Sequence, residues 1–539
     1  MRTQSLLLGL ATASSIVAAA PLDERFVADA YQPVQTSCPS SALIRPASGI
    51  NRKEEIYITS RKAKADEGLS EWLKKQGSFD TSFLPTVGIA SSGGGYRALL
   101  CTAGVIQALD GRDTDLETGG LYQGLTYESG LSGGSWFLSS LAGNNWPTIS
   151  YLRDNLWGDA FQKGILEPEN LLSISSLAEY TAVSADVLSK GHAGYDTTIV
   201  DPYGRLLSYQ LLEGFDGGVN TRLSGLTSLS NFTSLNVPYP IITVRGVDGS
   251  HGQCFPDVNS PQYEFHPYEY GSWDDGIAAF ADSQYMGSNL TNGKSLTGKC
   301  TVHYDNLGYV FGTSSDVFNG ACTIVPASNS SLEGALETLL DHSPVVQDLF
   351  AVYPNPFYHY PHASTVQNDY LLTLSDGGEA GQNVPIWPLI QPARAIDILI
   401  LNDNSADTSD NFPNGTEIHQ TYLNAQVANL SKMPYIPDVA TFVTEGLNKR
   451  ATFFGCNDST SAFVIYLPNV NYIYASNTPT FKLQYEKAET DGMIANGNAV
   501  AMQNGTEGWP FCLACGIMNL ADGLPDGCDA CFERYCYRQ

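Results

Sequence analysis

Residues 126–142 read TYESGLSGGSWFLSSLA, and at their centre a serine stands between glycines in Gly130-Leu131-Ser132-Gly133-Gly134. The residues before this serine predict a strand, and the apolar run after it predicts a helix, so the pattern G-x-S-x-G stands at a strand-to-helix turn. A turn of this kind exposes the serine hydroxyl at the amino end of a helix. The stretch therefore predicts Ser132 as the nucleophile of a serine esterase, and an ordinary turn serine is the simpler alternative.

A second strand-turn-helix unit precedes this one, in FLPTVGIASSGGGYRALLCTAGVIQALDG at residues 83–111. Its pattern predicts a buried strand over Thr86–Ala90, a glycine turn, and a helix from about Arg97 to Leu109. Two such units in succession imply right-handed crossovers and a largely parallel sheet, which is typical of the α/β class. Residues 369–379, DYLLTLSDGGE, predict another strand, which places Asp376 at the same edge of the sheet.

Acyl transfer by Ser132 requires a base and hydrogen-bond donors for the oxyanion. The triplet Gly93–Gly95 ends the earlier strand, and its backbone N–H groups suit an anion, while Arg97 is able to bind phosphate or carboxylate at the same edge. His419 follows Asp376 along the chain, as a Ser-Asp-His triad requires, but it lies in the polar segment NGTEIHQTY. Asp376 is therefore the candidate base, and a triad that contains His419 is the alternative.

The segments SSGGGYRALL, GLSGGSW, SDGGE and QPARAIDILILNDNSAD, in this order, closely resemble the secreted fungal phospholipase B and lysophospholipase family. The catalytic half of the cytosolic phospholipase A group, with its patatin-like fold, is similar. This resemblance implies a Ser-Asp dyad with Ser132 as nucleophile and Asp376 as base. It further implies that the Gly94 and Gly95 amides form the oxyanion hole and that Arg97 stabilises the substrate phosphate. No metal or other cofactor is implied.

The reaction implied by the resemblance is hydrolysis of acyl esters in lysophospholipids and glycerophospholipids at micelle or membrane surfaces. It proceeds through an acyl-serine intermediate and releases free fatty acid, and it implies no protein partner. The unperturbed pKa of an aspartate is about 3.9, which predicts a dyad that stays ionised in acid. The aromatic run AVYPNPFYHYPHA at residues 351–363 is expected either to line an acyl-chain groove or to pack in the core.

Two other classes of protein remain open from the residues alone. A secreted carboxylesterase or lipase of the α/β-hydrolase type would use His419 in a histidine triad. A non-catalytic secreted glycoprotein would keep the fold without the activity.

The composition and the amino-terminal segment indicate where the protein acts. A formal net charge of −28 argues against a nucleic-acid partner. Residues 1–20 have the charged start, apolar centre and small-residue end of a secretory signal peptide, so we expect a secreted, extracellular protein. Residues 21–539 are predicted to form one large catalytic domain, because the motifs must meet in one site, and residues 150–360 are expected to hold insertions that cover the sheet. The last part of this domain, from about residue 505 to 539, is rich in cysteine.

Cysteines and glycosylation sites agree with export. Eleven cysteines predict a set of disulfides with one thiol left over, and Cys101, within an apolar helix, is the candidate for that thiol. Cys512, Cys515, Cys528 and Cys531 have a spacing that is typical of zinc sites, but an oxidising compartment favours disulfides. N-x-[ST] patterns predict N-glycosylation on exposed loops at Asn231, Asn289, Asn329, Asn414, Asn429, Asn457 and Asn504.

Overall fold

The computed structural model describes residues 30–166, 177–249, 252–318, 349–521 and 523–538. The predicted signal peptide and the predicted glycosylation site Asn329 lie outside these residues. Within them, no helix is long and apolar enough to cross a bilayer.

Strands and helices alternate over residues 52–143, and further on several helices and then several strands follow one another. The strands are β1 (Val34–Ser37), β2 (Ile44–Pro46), β3 (Val87–Ser91), β4 (Leu125–Gly130), β5 (Tyr239–Gly246), β6 (Gln262–Phe265), β7 (Glu269–Ser272), β8 (Ala279–Asp282), β9 (Lys299–Val302), β10 (Ala351–Pro354), β11 (Leu371–Ser375), β12 (Ile398–Asp403), β13 (Thr452–Phe454) and β14 (Phe463–Pro468). The α-helices are α1 (Arg52–Gln76), α2 (Gly95–Leu109), α3 (Gly133–Gly143), α4 (Ile149–Leu152), α5 (Gly158–Lys163), α6 (Leu177–His192), α7 (Val200–Leu211), α8 (Ser230–Thr233), α9 (Leu307–Ser314), α10 (Thr416–Val427), α11 (Val439–Thr444), α12 (Lys487–Ala501), α13 (Trp509–Ile517) and α14 (Cys528–Tyr535).

The centre of the main sheet is parallel. Strands β14, β12, β3, β4 and β5 lie side by side in that order, and each of these neighbours runs in the same direction. Every residue of β3, β4 and β12 is buried, as expected when both faces of a parallel sheet are covered. The predicted α/β class and the two predicted strand-turn-helix units are confirmed, and helix α2 begins two residues earlier than predicted.

Antiparallel strands extend the parallel centre at both sides. Strands β6, β7, β8 and β2 follow β5, and β13 lies at the opposite edge. Residues 262–282 therefore widen the sheet, whereas the sequence predicted that this region covers it. Strands β6 to β8 have only four residues each, which is too short for an alternating pattern to stand out in the sequence.

The strand that leads to Asp376 runs against its neighbours. Strand β11 is antiparallel to β10 and to β5, and it overlaps only the last residues of β5, with Ser375 opposite Arg245 and Leu374 opposite Gly246. Because the overlap lies at the carboxyl end of β5, Asp376 reaches the predicted sheet edge from the opposite direction.

Helix α12, near the end of the chain, crosses α2 at a pair of glycines. A side chain at Gly104 would lie 2.0 Å from the carbonyl oxygen of Ile494, and one at Gly497 would lie 2.2 Å from that of Cys101. The two backbones therefore touch, and Cys101 is enclosed between them as the free, buried thiol that the sequence predicted.

The cysteines of the carboxyl-terminal segment pair with one another. Cys512 bonds to Cys531 and Cys515 bonds to Cys528, so helices α13 and α14 are joined by two disulfides. The disulfide prediction is confirmed, and the zinc alternative does not apply to these thiols. Two further bridges, Cys38–Cys300 and Cys456–Cys536, join residues distant along the chain.

Candidate active site

Ser132 lies in the turn between β4 and α3. Its backbone has φ 51° and ψ −122°, a conformation that a residue with a side chain rarely adopts, and it precedes the first residue of the helix. The glycines after it are needed for close approach, because a side chain at Gly133 would lie 2.1 Å from the carbonyl oxygen of Gly95. A side chain at Gly134 would lie 2.2 Å from that of Ser91. The serine turn is thus pressed against the end of β3.

The end of helix α9 holds the serine turn in place. The Ser132 N–H donates to Ser314 Oγ at 2.9 Å, and that hydroxyl donates to the carbonyl of Thr243 in β5 at 2.8 Å. The sequence analysis did not find Ser314, because a serine at the end of a buried apolar helix has no local pattern that marks such a role.

Asp376 is buried next to the serine, with 5% of its surface exposed. Its Oδ1 accepts the Gly378 N–H at 2.8 Å, and the Ser132 hydroxyl lies beside the carboxylate. Burial raises the pKa of Asp376 to about 6, although the Gly378 N–H and the Ser132 hydroxyl oppose this shift. The carboxylate form is therefore dominant only above about pH 6, which is a higher limit than the unperturbed pKa predicted.

The glycine loop after β3 presents two free amides beside the serine. Gly94 has φ 136° and Gly95, the first residue of α2, has φ 60°. Among the described residues, neither the Gly94 N–H nor the Gly95 N–H has a hydrogen-bond acceptor, whereas the Gly93 N–H donates to the carbonyl of Asn383 at 3.1 Å. A side chain at Gly93 would lie 2.8 Å from Ser132 Cβ, so the loop adjoins the nucleophile candidate. This arrangement is able to bind an oxyanion.

Arg97 lies one turn into α2, where its guanidinium is buried. It donates to the Asn404 carbonyl at 3.0 Å, the Thr478 carbonyl at 2.6 Å and Thr480 Oγ1 at 3.1 Å. Within the described part of the chain, no carboxylate oxygen lies within 4 Å of it, and desolvation lowers its pKa. A buried guanidinium without an acidic partner is suited to binding an anion from outside the protein.

Comparison with other proteins identifies the chain. Residues 87–539 match the family described as the lysophospholipase catalytic domain. The chain belongs to this lysophospholipase family. It is 38% identical to lysophospholipase 2 of Aspergillus fumigatus over 94% of this chain and 93% of that protein. It is 36% identical to lysophospholipase 1 of Saccharomyces cerevisiae, over 100% of this chain and 88% of that protein.

A solved structure shares the fold. Human GIVD cytosolic phospholipase A2 superposes with a TM-score of 0.68 at 16% identity, over 90% of this chain and 72% of that chain. The resemblance to both families that the sequence motifs indicated is therefore confirmed. As a member of the lysophospholipase family, the chain is a lipid-ester hydrolase with lysophospholipase or phospholipase B activity.

Two cavities meet at the serine of this lysophospholipase-family chain. Apolar side chains, including Trp136, Phe318 and Phe481, line the first cavity, which also reaches Asp376. The aromatic run at residues 351–363 does not contribute to this lining; its buried rings, such as Tyr353, pack in the core.

The second cavity, of about 450 Å³, is polar and contains Arg97. Asp407 and Glu417 line it as well. Burial and then the neighbouring Asp403 raise the pKa of Asp407 to about 7, and burial and then Asp407 raise the pKa of Glu417. These acids were not found from the sequence, because the positions of the loop that holds Asp407 and of helix α10, whose first turn holds Glu417, depend on the whole sheet.

His419 lies on helix α10 away from the serine. Its Nδ1 is 3.2 Å from the carbonyl oxygen of Ile436, and its ring packs against Tyr422. It lines neither of the two cavities at Ser132. The geometry therefore favours the dyad over the histidine triad.

The predicted glycosylation sites differ in exposure. Asn231 and Asn414 are partly buried, and the Asn231 side chain donates to the carbonyl of Asn145 at 2.7 Å. The side chains of the remaining described sites are exposed: Asn289, Asn429, Asn457 and Asn504.

Proposed function

We propose that the chain is a secreted lysophospholipase that hydrolyses acyl esters with a Ser132-Asp376 dyad through an acyl-serine intermediate. One observation supports this proposal: the Ser132 hydroxyl lies beside the buried Asp376 carboxylate, and the Gly94 and Gly95 amides next to it have no acceptor among the described residues. Groups able to act as nucleophile, base and oxyanion donors therefore lie close together.

In the first half of the reaction, Asp376 accepts the Ser132 proton while Oγ attacks the ester carbonyl carbon. The oxygen that becomes negative receives hydrogen bonds from the Gly94 and Gly95 amides. When the tetrahedral intermediate collapses, Asp376 returns the proton to the departing glycerol oxygen, and the acyl group stays on Ser132. In the second half, Asp376 takes a proton from water as the water oxygen attacks the acyl-serine carbonyl carbon. When this second tetrahedral intermediate collapses, Asp376 gives the proton to the departing Ser132 Oγ and the fatty acid is released.

The two cavities suggest how a lipid is oriented. The acyl chain would occupy the apolar cavity past Trp136 and Phe481, where its transfer from water is favourable. The phosphate would lie in the polar cavity near Arg97, whose guanidinium lacks an acidic partner among the described residues. Substrate is expected to come from micelles or membrane surfaces.

The rest of the proposal concerns processing. Residues 1–20 would be removed as a signal peptide, and residues 21–539 would act as one catalytic domain, which agrees with the continuous hydrophobic core from α1 to α14. Disulfides in the described residues agree with an extracellular location. Asn289, Asn429, Asn457 and Asn504 are the preferred glycan acceptors because their side chains are exposed.

Covalent labelling tests the nucleophile. A fluorophosphonate probe should label the wild-type protein and should fail to label Ser132→Ala, as mass spectrometry of the modified peptide would show. Human GIVD cytosolic phospholipase A2 has been solved in complex with such an inhibitor, methyl gamma-linolenyl fluorophosphonate. Ser135→Ala, three residues along in α3, is a matched control that should still be labelled. Absence of labelling in the folded wild-type protein would favour the non-catalytic glycoprotein.

A further inference from the structure

A second polar cavity, of about 350 Å³, lies on the side of β5 and β6 and shares no residue with the two cavities at Ser132. Its inner part contains Arg245, Gln262 and Trp387. Asp274 and Asp275 also line it, and the latter is exposed.

Arg245 is a buried cation that makes no direct ion pair with another described residue, although the charges of Asp274 and Asp257 act on it from further away. Only 1% of its surface is exposed. Its Nη2 donates to the carbonyl of Val258 at 2.6 Å, but Nε and Nη1 have no partner. Among the described residues, no carboxylate oxygen lies within 4 Å of its guanidinium. Burial lowers the pKa of Arg245 to about 10, so it remains charged at neutral pH. A buried charge in this state is costly unless a ligand pairs with it.

A second unpaired donor lines the same cavity. The indole Nε1 of Trp387 is buried and has no acceptor. The inner part of the cavity therefore offers several N–H groups and one positive charge, which is the donor set that oxyanions such as phosphate prefer.

Two aspartates in the cavity indicate which groups a ligand would carry besides its phosphate. Asp274 Oδ2 accepts the Gln262 N–H at 2.6 Å, and burial raises the pKa of this aspartate to about 6. Asp275 is exposed and would face the outer part of a bound molecule. A ligand with phosphate at one end and hydroxyl or ammonium groups at the other would meet the Arg245 and Trp387 donors with its phosphate and the Asp274 and Asp275 carboxylates with its other groups.

We propose that this cavity is a second binding site, which takes a phosphate diester with a polar head group, and that Arg245 and Trp387 donate to the phosphate oxygens. The identification of a glycerophosphodiester as the natural occupant rests on the proposed function, because deacylation of a lysophospholipid leaves that molecule. The binding site itself rests only on the cavity and its unpaired donors.

The site is connected to the candidate catalytic base through two short routes. Arg245 in β5 lies opposite Ser375, the residue before Asp376. From β6, Gln262 Nε2 donates to Gln382 Oε1 at 2.9 Å, and the Gln382 N–H donates to the carbonyl of Gly377 at 3.1 Å. A ligand in this cavity would therefore contact Arg245 and Gln262, the two residues from which these routes start.

Calorimetric titration tests the site, with Ser132→Ala protein so that no lipid is turned over. The probes are glycerophosphocholine, inorganic phosphate and a short-chain lysophosphatidylcholine below its micelle-forming concentration, all at constant ionic strength. Arg245→Met should weaken glycerophosphocholine binding by about tenfold or more, since a charge-assisted hydrogen bond contributes at least that much. Arg97→Met, which alters only the polar cavity at Ser132, should leave the Arg245-dependent part of this binding unchanged.

The outcomes separate this proposal from the proposed function. Binding that is lost in Arg97→Met and kept in Arg245→Met would place the phosphate at Ser132 and overturn the second site. Absence of binding at millimolar concentration would overturn it as well. Loss of binding in Arg245→Met supports it, whether or not Ser132 later proves to be the nucleophile. Tighter binding of the lysolipid than of glycerophosphocholine, sensitive to Arg245→Met, would indicate a lipid head group as the occupant in place of the water-soluble product.

A second variant covers the case in which Arg245→Met does not fold. Trp387→Phe keeps the aromatic ring and removes only the indole N–H, so it should weaken glycerophosphocholine binding several-fold. Circular dichroism in phosphate-free buffer checks that each variant is folded. Unchanged affinity in a folded Trp387→Phe protein, when Arg245→Met is not available, would overturn the proposal.

Discussion

A buried cluster of polar side chains lies at the beginnings of the parallel strands and another lies at their ends, and among the described residues only the first contains ion pairs. Near the beginning of β12, Arg394 donates to Glu54 Oε1 at 2.9 Å and to Glu264 Oε2 at 2.9 Å, and all three side chains are at most 3% exposed. Past the ends of β4 and β11, Ser132 and Asp376 are also buried, but no cationic side chain of the described residues lies within 4 Å of Asp376.

The two clusters differ in whether their buried polar groups have partners. At the beginning of the strands Arg394 is paired with both Glu54 and Glu264, so this cluster contributes to holding α1, β6 and the turn before β12 together. At the ends of the strands, backbone turns leave the Gly94 and Gly95 amides without acceptors. In parallel α/β sheets ligands bind at the carboxyl ends of strands, and the open cluster lies there. The comparison therefore separates residues that stabilise the fold from residues that are free to react.

The largest expected effect is that of Asp376→Asn. Removing the base should lower kcat/KM for lysophosphatidylcholine by about 10⁴-fold or more. The folded-state pKa of Asp376, about 6, is raised above its unfolded value, so ionisation disfavours the fold and stability falls as pH rises through this range. The neutral amide should therefore unfold at higher urea concentration than the wild type at pH 7. Activity above about 1% of wild type would contradict the dyad.

A substitution in the cluster around Arg394 should lower the stability of the protein and leave its activity unchanged. Arg394→Met leaves two buried glutamates without their partner and should lower the free energy of unfolding by about 3–5 kcal/mol, while kcat of the folded protein is unchanged. Urea denaturation and a lysophospholipase assay at low temperature measure the two quantities. Arg52→Met, which breaks the exposed Arg52–Glu55 pair, is the matched control and should show no measurable change in stability. A loss of kcat without a loss of stability in Arg394→Met would contradict the assignment of this cluster to stability alone.

The pH dependence of activity should follow the base. Because the raised pKa of Asp376 is about 6, kcat/KM should fall about tenfold for each pH unit below that value and should level off above it. A rate profile over pH 4 to 8 with soluble lysolipid measures this limb. An enzyme that stays fully active down to about pH 4 would show that the base is ionised by some other contact.

The smallest expected effect is that of His419→Ala. The His419 ring contacts Ile436 and Tyr422 and not the dyad, so kcat/KM should change by less than about twofold and the acidic limb should keep its apparent pKa. The same assay checks it. Loss of activity in a folded His419→Ala protein would restore the histidine triad.

The sequence predicted the parallel centre and the candidate site, since both depend on local pattern. Ser132, the glycine triplet and Asp376 each stand at the end of an apolar run, and such runs become strands. The direction of β11 and the strands of residues 262–282 were not predictable, because short antiparallel strands are selected by their neighbours. The same holds for Ser314, which contacts Ser132 from a helix 182 residues away in the chain.

What the sequence by itself determined is the identity of the candidate reacting groups: a serine in a glycine turn, a glycine loop, an arginine and an aspartate, in an order that is typical of this lysophospholipase family. What only the tertiary structure decided is their state. Burial raises the pKa of Asp376 to about 6 and lowers those of Arg97 and Arg245, neither of which forms a direct ion pair with another described residue. Burial depends on every element packed around a residue, so a free amide, a shifted pKa or an unpaired charge exists only once the whole chain has folded.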